Sequence, residues 1–353
     1  MRMYIKNELK IKLLDDLITP NQLINEFPIS EDIIKHVINS RKKIESILSG
    51  DDKRLLVIIG PCSVHDHYAV FEYAKMLSKL HIRYKDYLQI VMRAYFEKPR
   101  TISGWKGSIL DPDINNSYQV NKGLKIAREL LININKLGLP IATEFLDTMI
   151  FRYISDLVSW GSIGARTVES PIHRQMVSAL PFPVGFKNGT NGNINVAINA
   201  ILSSRMRNVI LTQDQNGKIK IYRTFGNKCS HIVMRGGKKP NYGKKFIDIA
   251  YYQLKKSRLP RKLLIDLSHG NCQKKYYRQI DIAKKIFEQS RGRKSCVFGI
   301  MAESFLVEGS QDIRNKKFLR YGQSITDPCL SWKDTRKLLD FLMKVAKIRI
   351  NSI

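Results

Sequence analysis

Hydrophobic positions along the chain follow two alternating rhythms. Short runs rich in Val, Ile and Leu stand at residues 55–59, 89–92, 141–144, 162–165, 184–186, 231–234, 263–267 and 297–301. Runs that are apolar at successive positions suit strands buried on both faces, as in a parallel sheet. Between them lie longer stretches at 68–80, 118–137, 147–160, 171–180, 193–207, 244–256, 278–289 and 333–347. Most carry apolar residues three and four apart, the spacing of an amphipathic helix. Eight strands, each followed by a helix, predict an α/β fold, a (β/α)8 TIM barrel.

Two segments stand outside the rhythm. Residues 209–211 and 219–222 flank Gln215-Asn216-Gly217-Lys218, and Asn-Gly is a hairpin signal. A β-hairpin is therefore expected at about 209–223, between the fifth helix and the sixth strand. Residues 1–50 read as a separate layer before the barrel of 51–353. Pro20 and Asn21 punctuate that layer. Ser30-Glu31-Asp32 starts a helix before Ile33, Ile34, Val37 and Ile38, and Gly50-Asp51-Asp52 ends it in a turn.

Candidate chemistry lies where each strand stops. Cys62, Arg93, Glu144, Arg166, Lys187, Arg235, His269 and Glu303 each follow an apolar run within a few positions. Barrel enzymes carry their chemistry on that C-terminal face. Arg93, Arg166, Lys187 and Arg235 are cationic, and such a ring repels itself unless an anion sits inside it. Arg pairs two oxygens of a carboxylate or phosphate, and Lys adds a point charge, so a small multiply anionic ligand is implied. Lys98-Pro99-Arg100-Thr101 adds two cations and a hydroxyl, suited to a second phosphate. Cys62, His269 and Glu303, with Asp327 from the loop after the last strand, form a set of S, N and O donors. Such a set suits one divalent metal ion such as Mn, Fe, Co or Zn. Tyr95 and Trp105 read as packing residues.

Composition changes this picture little. The 353 residues carry 60 Lys+Arg against 31 Asp+Glu, a formal net charge of +29. That charge admits a nucleic-acid-binding protein as an alternative. The basic residues are spread over the whole chain instead of clustering on one face or tail, so no specific nucleic acid is expected. No apolar run reaches the ~18 residues that cross a membrane. The first residues lead into a charged amphipathic stretch and not a secretory signal, so no membrane partner is expected. The five cysteines form no CxxC pair, which fits a reducing cytoplasm.

The motifs then become specific. Gly60-Pro61-Cys62-Ser63, Lys98-Pro99-Arg100-Thr101, Gly164-Ala165-Arg166-Thr167 and Gly185-Phe186-Lys187-Asn188-Gly189-Thr190 stand in order along the chain. Met234-Arg235-Gly236-Gly237, Asp266-Leu267-Ser268-His269-Gly270-Asn271 and Ser324-Ile325-Thr326-Asp327 follow. Together they resemble type I 3-deoxy-D-arabino-heptulosonate 7-phosphate (DAHP) synthase over nearly the whole chain. Residues 268–274, 299–306 and 321–324 are most similar to its tryptophan-sensitive members.

The resemblance implies a transferase of the shikimate pathway, the route to chorismate and the aromatic amino acids. It condenses phosphoenolpyruvate with erythrose 4-phosphate and releases phosphate. It implies metal ligands at Cys62, His269, Glu303 and Asp327. Phosphoenolpyruvate contacts fall on Arg93, Lys98, Arg166, Lys187 and Arg235, with Glu144 close by. Erythrose phosphate contacts fall on Lys98, Arg100 and Thr101. Lys98, Cys62 and His269 are the expected catalytic residues, Lys98 as proton donor to the aldehyde oxygen. A homodimer or homotetramer is implied, with residues 1–50 and the hairpin as contact and effector regions. An aromatic amino acid, tryptophan first, is the implied effector. The related 3-deoxy-D-manno-octulosonate 8-phosphate synthase, which takes arabinose 5-phosphate, is the second alternative. One departure stands out: Phe151 occupies a place in the family's feedback loop where relatives carry a small residue. A bulky ring there is expected to fill the effector pocket and weaken inhibition.

Overall fold

The computed structural model describes residues 10–100, 102–289, 296–314 and 318–351. Its strands are β1 (Leu55–Gly60), β2 (Leu88–Arg93), β3 (Ile141–Glu144), β4 (Trp160–Ile163), β5 (Val184–Lys187), β6 (Val209–Gln213), β7 (Ile219–Arg223), β8 (His231–Met234), β9 (Leu263–Asp266), β10 (Val297–Glu303), β11 (Val307–Ser310) and β12 (Gln323–Ser324). Its helices are α1 (Pro20–Glu26), α2 (Glu31–Ser49), α3 (His67–Arg83), α4 (Val120–Lys136), α5 (Phe151–Ile154), α6 (Pro171–Val177), α7 (Asn195–Arg205), α8 (Lys244–Lys256), α9 (His269–Cys272), α10 (Arg278–Gln289) and α11 (Trp332–Asn351).

Eight parallel strands close into a barrel in the order β1-β10-β9-β8-β5-β4-β3-β2. The expected (β/α)8 architecture is what the chain forms. β6 and β7 pair antiparallel as the inserted hairpin, with Ile210 opposite Tyr222.

Strand parity sorts the side chains. In β1, Leu55, Val57 and Ile59 pack outward with the helices, while Leu56 and Ile58 point into the barrel. The inner cluster continues with Val91, Ala142, Trp160, Val233, Leu264, Phe298 and Met301. Trp160 Nε1 donates to His231 Nε2 at 3.2 Å, while His231 Nδ1 faces Cys229 O at 3.1 Å. Burial pushes this imidazole down to about 4, so it stays neutral inside the barrel.

The lower end of the barrel is closed by α2. Ser30 Oγ accepts from Ile33 N at 3.4 Å to start that helix. Gly50 ends it at φ 98°, a left-handed conformation in which glycine has no steric penalty. Ile44, Ile47 and Leu48 on α2 then complete the inner cluster. Pro20 begins α1 and does not merely punctuate the chain, with Thr19 and Gln22 forming a capping box. Asn21 N donates to Gln215 O at 2.9 Å, which ties α1 to the hairpin turn.

Two expectations need correction. The helix expected over 147–160 is only α5 followed by a 3-10 turn, Ser155–Leu157. Val158 is already extended, and Ser159 N donates to Ile141 O at 2.9 Å, so the chain is rejoining the sheet. The fourth strand accordingly starts at Trp160, two residues before the expected 162. The large indole is needed inside the barrel, and inner packing sets the register.

Candidate functional site

The parity that fills the barrel also aims its chemistry. Gln89 and Arg93 lie on the same face of β2 as the inward Val91, and both are buried. Glu303 continues the inward face of β10 from Met301, and Asp266 that of β9 from Leu264. Glu144 and Lys187 end β3 and β5 in the same way.

On one side of the mouth the donor atoms of Cys62, Glu303 and Asp327 all lie within 4.8 Å of one another. His269 Nε2 approaches from the flank, 3.6 Å from Glu303 Oε1. His269 Nδ1 is 2.8 Å from Asp266 Oδ2 and 2.8 Å from Ser268 Oγ. A carboxylate behind an imidazole holds the ring and leaves its other nitrogen facing the site. Asp266 is fully buried, and His269 outweighs the burial that would otherwise raise its carboxyl, which is held well below the usual range. Gln279 fixes the Glu303 backbone from both sides, donating to its O and accepting from its N at 3.0 Å each. The mixed soft and hard donors fit a first-row divalent ion. Burial, then Glu303, raise the Cys62 thiol, and Lys98 opposes them. Lys98 Nζ lies 3.2 Å from Cys62 Sγ and donates to Cys62 O at 2.8 Å.

Arg93 sits beneath this group at 1 % exposure. It donates to Glu303 Oε1 at 2.9 Å, to Pro61 O at 3.0 Å and to Cys62 O at 3.3 Å. Across the mouth Lys187 Nζ and Glu144 Oε2 are 2.6 Å apart. Gly164 leaves the room for that carboxylate, because a Cβ there would meet Glu144 Oε1 at 2.8 Å. The cation ring thus does not await an outside anion at every position: Arg93 and Lys187 each face a protein carboxylate. Arg166 is exposed on the turn after β4. Arg235, half-buried after β8, donates to Gly236 O at 3.4 Å. Arg100 is exposed and donates to Trp105 O at 2.9 Å. Thr101 lies outside the described residues.

Several residues here carry no signal that strand-end reasoning could use. Tyr95 is not mere packing: its ring centroid is 3.7 Å from Arg93 Cζ, 5.4 Å from Lys187 Nζ and 6.0 Å from Lys98 Nζ. An aromatic face attracts cations, so it gathers three of them on one plate. Glu97 is buried and accepts from Leu146 N at 3.2 Å and Asp147 N at 2.9 Å. Burial raises its carboxyl to about 8. The Asp266–Ser268–His269 contacts were legible only as part of a motif.

The Glu144–Lys187 pair sets a pH test. Burial would raise Glu144, but Lys187, then Lys98, outweigh it and hold the carboxyl at about 2. A carboxyl depressed on folding stabilises the fold above its ordinary value near 4.5, and that contribution is lost as pH falls through about 2. Lys187→Met is expected to cost about 3–5 kcal/mol at pH 7 by stranding the carboxylate. The cost should be smaller at pH 4, where the stranded group takes up a proton. Urea unfolding at both pH values measures it; an equal loss at both would contradict the pairing.

Comparison with known proteins agrees with the geometry. A family profile described as the DAHP synthetase I family matches residues 26–340. The Trp-sensitive phospho-2-dehydro-3-deoxyheptonate aldolase of Escherichia coli (strain K12) is 52% identical over 97% of this chain and 99% of its own. The Trp-sensitive enzyme of Shigella flexneri is 53% identical over 95% and 97%. The structure of phospho-2-dehydro-3-deoxyheptonate aldolase from Francisella tularensis SCHU S4 superposes with a TM-score of 0.93. It is 44% identical and covers 96% of this chain and 99% of that one. With its closed barrel and with matches spanning nearly its whole length, this chain belongs to the DAHP synthetase I family.

Proposed function

We propose that the barrel mouth condenses phosphoenolpyruvate with D-erythrose 4-phosphate, giving DAHP and phosphate. Membership of the family makes the chain a DAHP synthase and a metalloenzyme of aromatic amino-acid biosynthesis. The residue roles are our own reading. The observation that carries it is the donor set of Cys62, Glu303 and Asp327, flanked by His269, opening beside the cations gathered on Tyr95.

In this reading Cys62, His269, Glu303 and Asp327 hold one divalent ion. When bound, it supplies Lewis-acid polarisation at the aldehyde end of the sugar phosphate. Arg166, Arg235 and Lys187 bind the phosphate and carboxylate of phosphoenolpyruvate, and Arg93 supports them from below. Arg100 and Thr101 hold the erythrose phosphate. The C3 carbon of phosphoenolpyruvate attacks the aldehyde carbon, and the new C–C bond leaves positive charge at C2. Lys98 gives a proton to the aldehyde oxygen. Water adds at C2, losing its proton to Glu144, which Lys187 keeps ionised. The bond from C2 to the phosphate oxygen then breaks, the new C2 hydroxyl passing its proton to the departing phosphate and leaving the C2 ketone of DAHP. Aimed cations of this kind are typically worth ~10²–10³ in rate each.

The regulatory and assembly readings rest on contacts around α5. Tyr153 OH donates to Ile18 O at 2.7 Å and to Gln213 Oε1 at 3.4 Å. Arg152 stands over Tyr222 of the hairpin at 5.6 Å. We read residues 1–50 and the hairpin as the effector and oligomer region of a homodimer or homotetramer. The exposed Val209, Leu211, Ile219 and Ile221 support it as apolar surface for a second copy. Phe151, buried at 5 % exposure, fills part of the α5 region and weakens inhibition by tryptophan. A cytoplasmic location is consistent with five unpaired cysteines. No described helix is long and apolar enough to cross a membrane.

Turnover of phosphoenolpyruvate should need erythrose 4-phosphate and not arabinose 5-phosphate. It should vanish in chelator, return with added divalent metal, and show a raised KM for phosphoenolpyruvate in Arg166→Ala. Full activity in chelator, or an Arg166→Ala effect confined to erythrose 4-phosphate, would remove these assignments. Titration with tryptophan should give inhibition only well above micromolar concentrations; strong micromolar inhibition would sink the Phe151 reading.

A further inference from the structure

Three buried asparagines tie together the loops that leave β5, β8 and β9. Asn188, Asn241 and Asn271 are exposed at 0%, 4% and 1%. Burying an amide is unfavourable unless its hydrogen bonds are made. Asn188 makes all four: Nδ2 donates to Gly189 O and Gly236 O at 2.9 Å each, and Oδ1 accepts from Arg235 N at 2.8 Å and Asn241 Nδ2 at 3.1 Å. Asn241 Oδ1 accepts from Gly236 N at 2.9 Å, and its own N donates to Asn271 Oδ1 at 2.8 Å. Asn271 Nδ2 donates to Met234 O at 3.1 Å and to Asp266 O at 2.7 Å. The chain of bonds runs without a gap from the residue after Lys187, through the backbone of Arg235, to the backbone of Asp266.

Glycines make this closeness possible. Gly236 has φ 73°, and a Cβ on it would lie 2.6 Å from Asn271 N. A Cβ on Gly270 would lie 2.7 Å from Gly237 N. The loops after β8 and β9 are therefore in backbone contact, and neither can shift without moving the other.

We propose that Asn188, Asn241 and Asn271 are positioning residues that couple the substrate-phosphate cations to the metal side of the site. This rests on the assignment of Lys187 and Arg235 to phosphoenolpyruvate and of His269 to the metal. Asn188 and Asn241 fix the backbone from which Arg235 projects. Asn271 fixes the strand end whose Asp266 orients His269. A packing role alone would lower stability and leave both binding constants in place. A coupling role moves the two constants together.

Asn241→Ala tests this, because its side chain touches neither a substrate cation's side chain nor a metal donor. Two readouts are taken on the full chain: KM for phosphoenolpyruvate, and the dissociation constant for Mn²⁺ alone, followed by the free-ion paramagnetic resonance signal. Both should rise, each by about 10–100-fold, as for other groups that orient metal ligands. The value of kcat at saturating substrate and metal should fall less than either. Arg235→Ala should raise KM at parent Mn²⁺ affinity, and His269→Ala should weaken Mn²⁺ binding. Failure of those two controls removes the site assignment itself and not the coupling specifically. With the controls intact, a change in only one constant, or a lowered melting temperature with both constants at parent values, overturns the proposal. If Asn241→Ala does not fold, Asn241→Ser carries the same test, with smaller rises in both constants expected.

Discussion

The ion pair between Arg93 and Glu303 is the constraint on which the rest of the site depends. Both side chains are 1% exposed and meet at 2.9 Å between the ends of β2 and β10. Removing either charge from water costs several kcal/mol, so neither would sit here without the other. Arg93 also donates to the carbonyls of Pro61 and Cys62, and so spans β1 as well. One guanidinium thereby sets the positions of Glu303 and of the Cys62 backbone, and so of two members of the donor cluster. Burial would lower it, but the Glu303 carboxylate and the face of the Tyr95 ring keep it firmly protonated.

The same logic is repeated across the mouth with Lys187 and Glu144, and Tyr95 joins the halves. Before any substrate arrives, each buried cation has a carboxylate or an aromatic face to meet. In the proposed reading, a phosphorylated acid entering the mouth would exchange partners with groups already desolvated. Positive charge is therefore organised here, whereas most of the +29 excess is spread over helices that the chemistry does not use.

Much of this was legible in the sequence because strand parity is simple physics. Alternate residues of a barrel strand point inward, so the inward polar residue at each C-terminal end is a candidate by position alone. Arg93, Glu144, Lys187 and Glu303 stand out in the sequence as residues that close apolar runs, and their shared inward parity is what the structure adds. Gly161 interrupts the apolar signal at the start of the fourth strand, and Trp160 reads equally well as the end of a helix, so the sequence points to a start two residues late. Ile150, Phe151, Tyr153, Ile154 and Leu157 have the spacing of a longer helix over 147–160, although most of that burial is achieved in one turn of α-helix and a 3-10 turn. Tyr95 and Asn241 fall outside every motif, and the roles of Asn188 and Asn271 are not readable from theirs, for a different reason. Their importance lies in long-range partners, such as Asn188 with Asn241, and no periodicity encodes those.

In the proposed reading one divalent ion sits among Cys62, His269, Glu303 and Asp327, with the sulfur among its ligands. Titration of the metal-free chain with Co²⁺ tests it most directly. A bound thiolate gives cobalt a near-ultraviolet charge-transfer band. This band is expected to saturate at one Co²⁺ per chain and to be missing in Cys62→Ala. Tight binding of Co²⁺ without the band, or a band that survives Cys62→Ala, would contradict it.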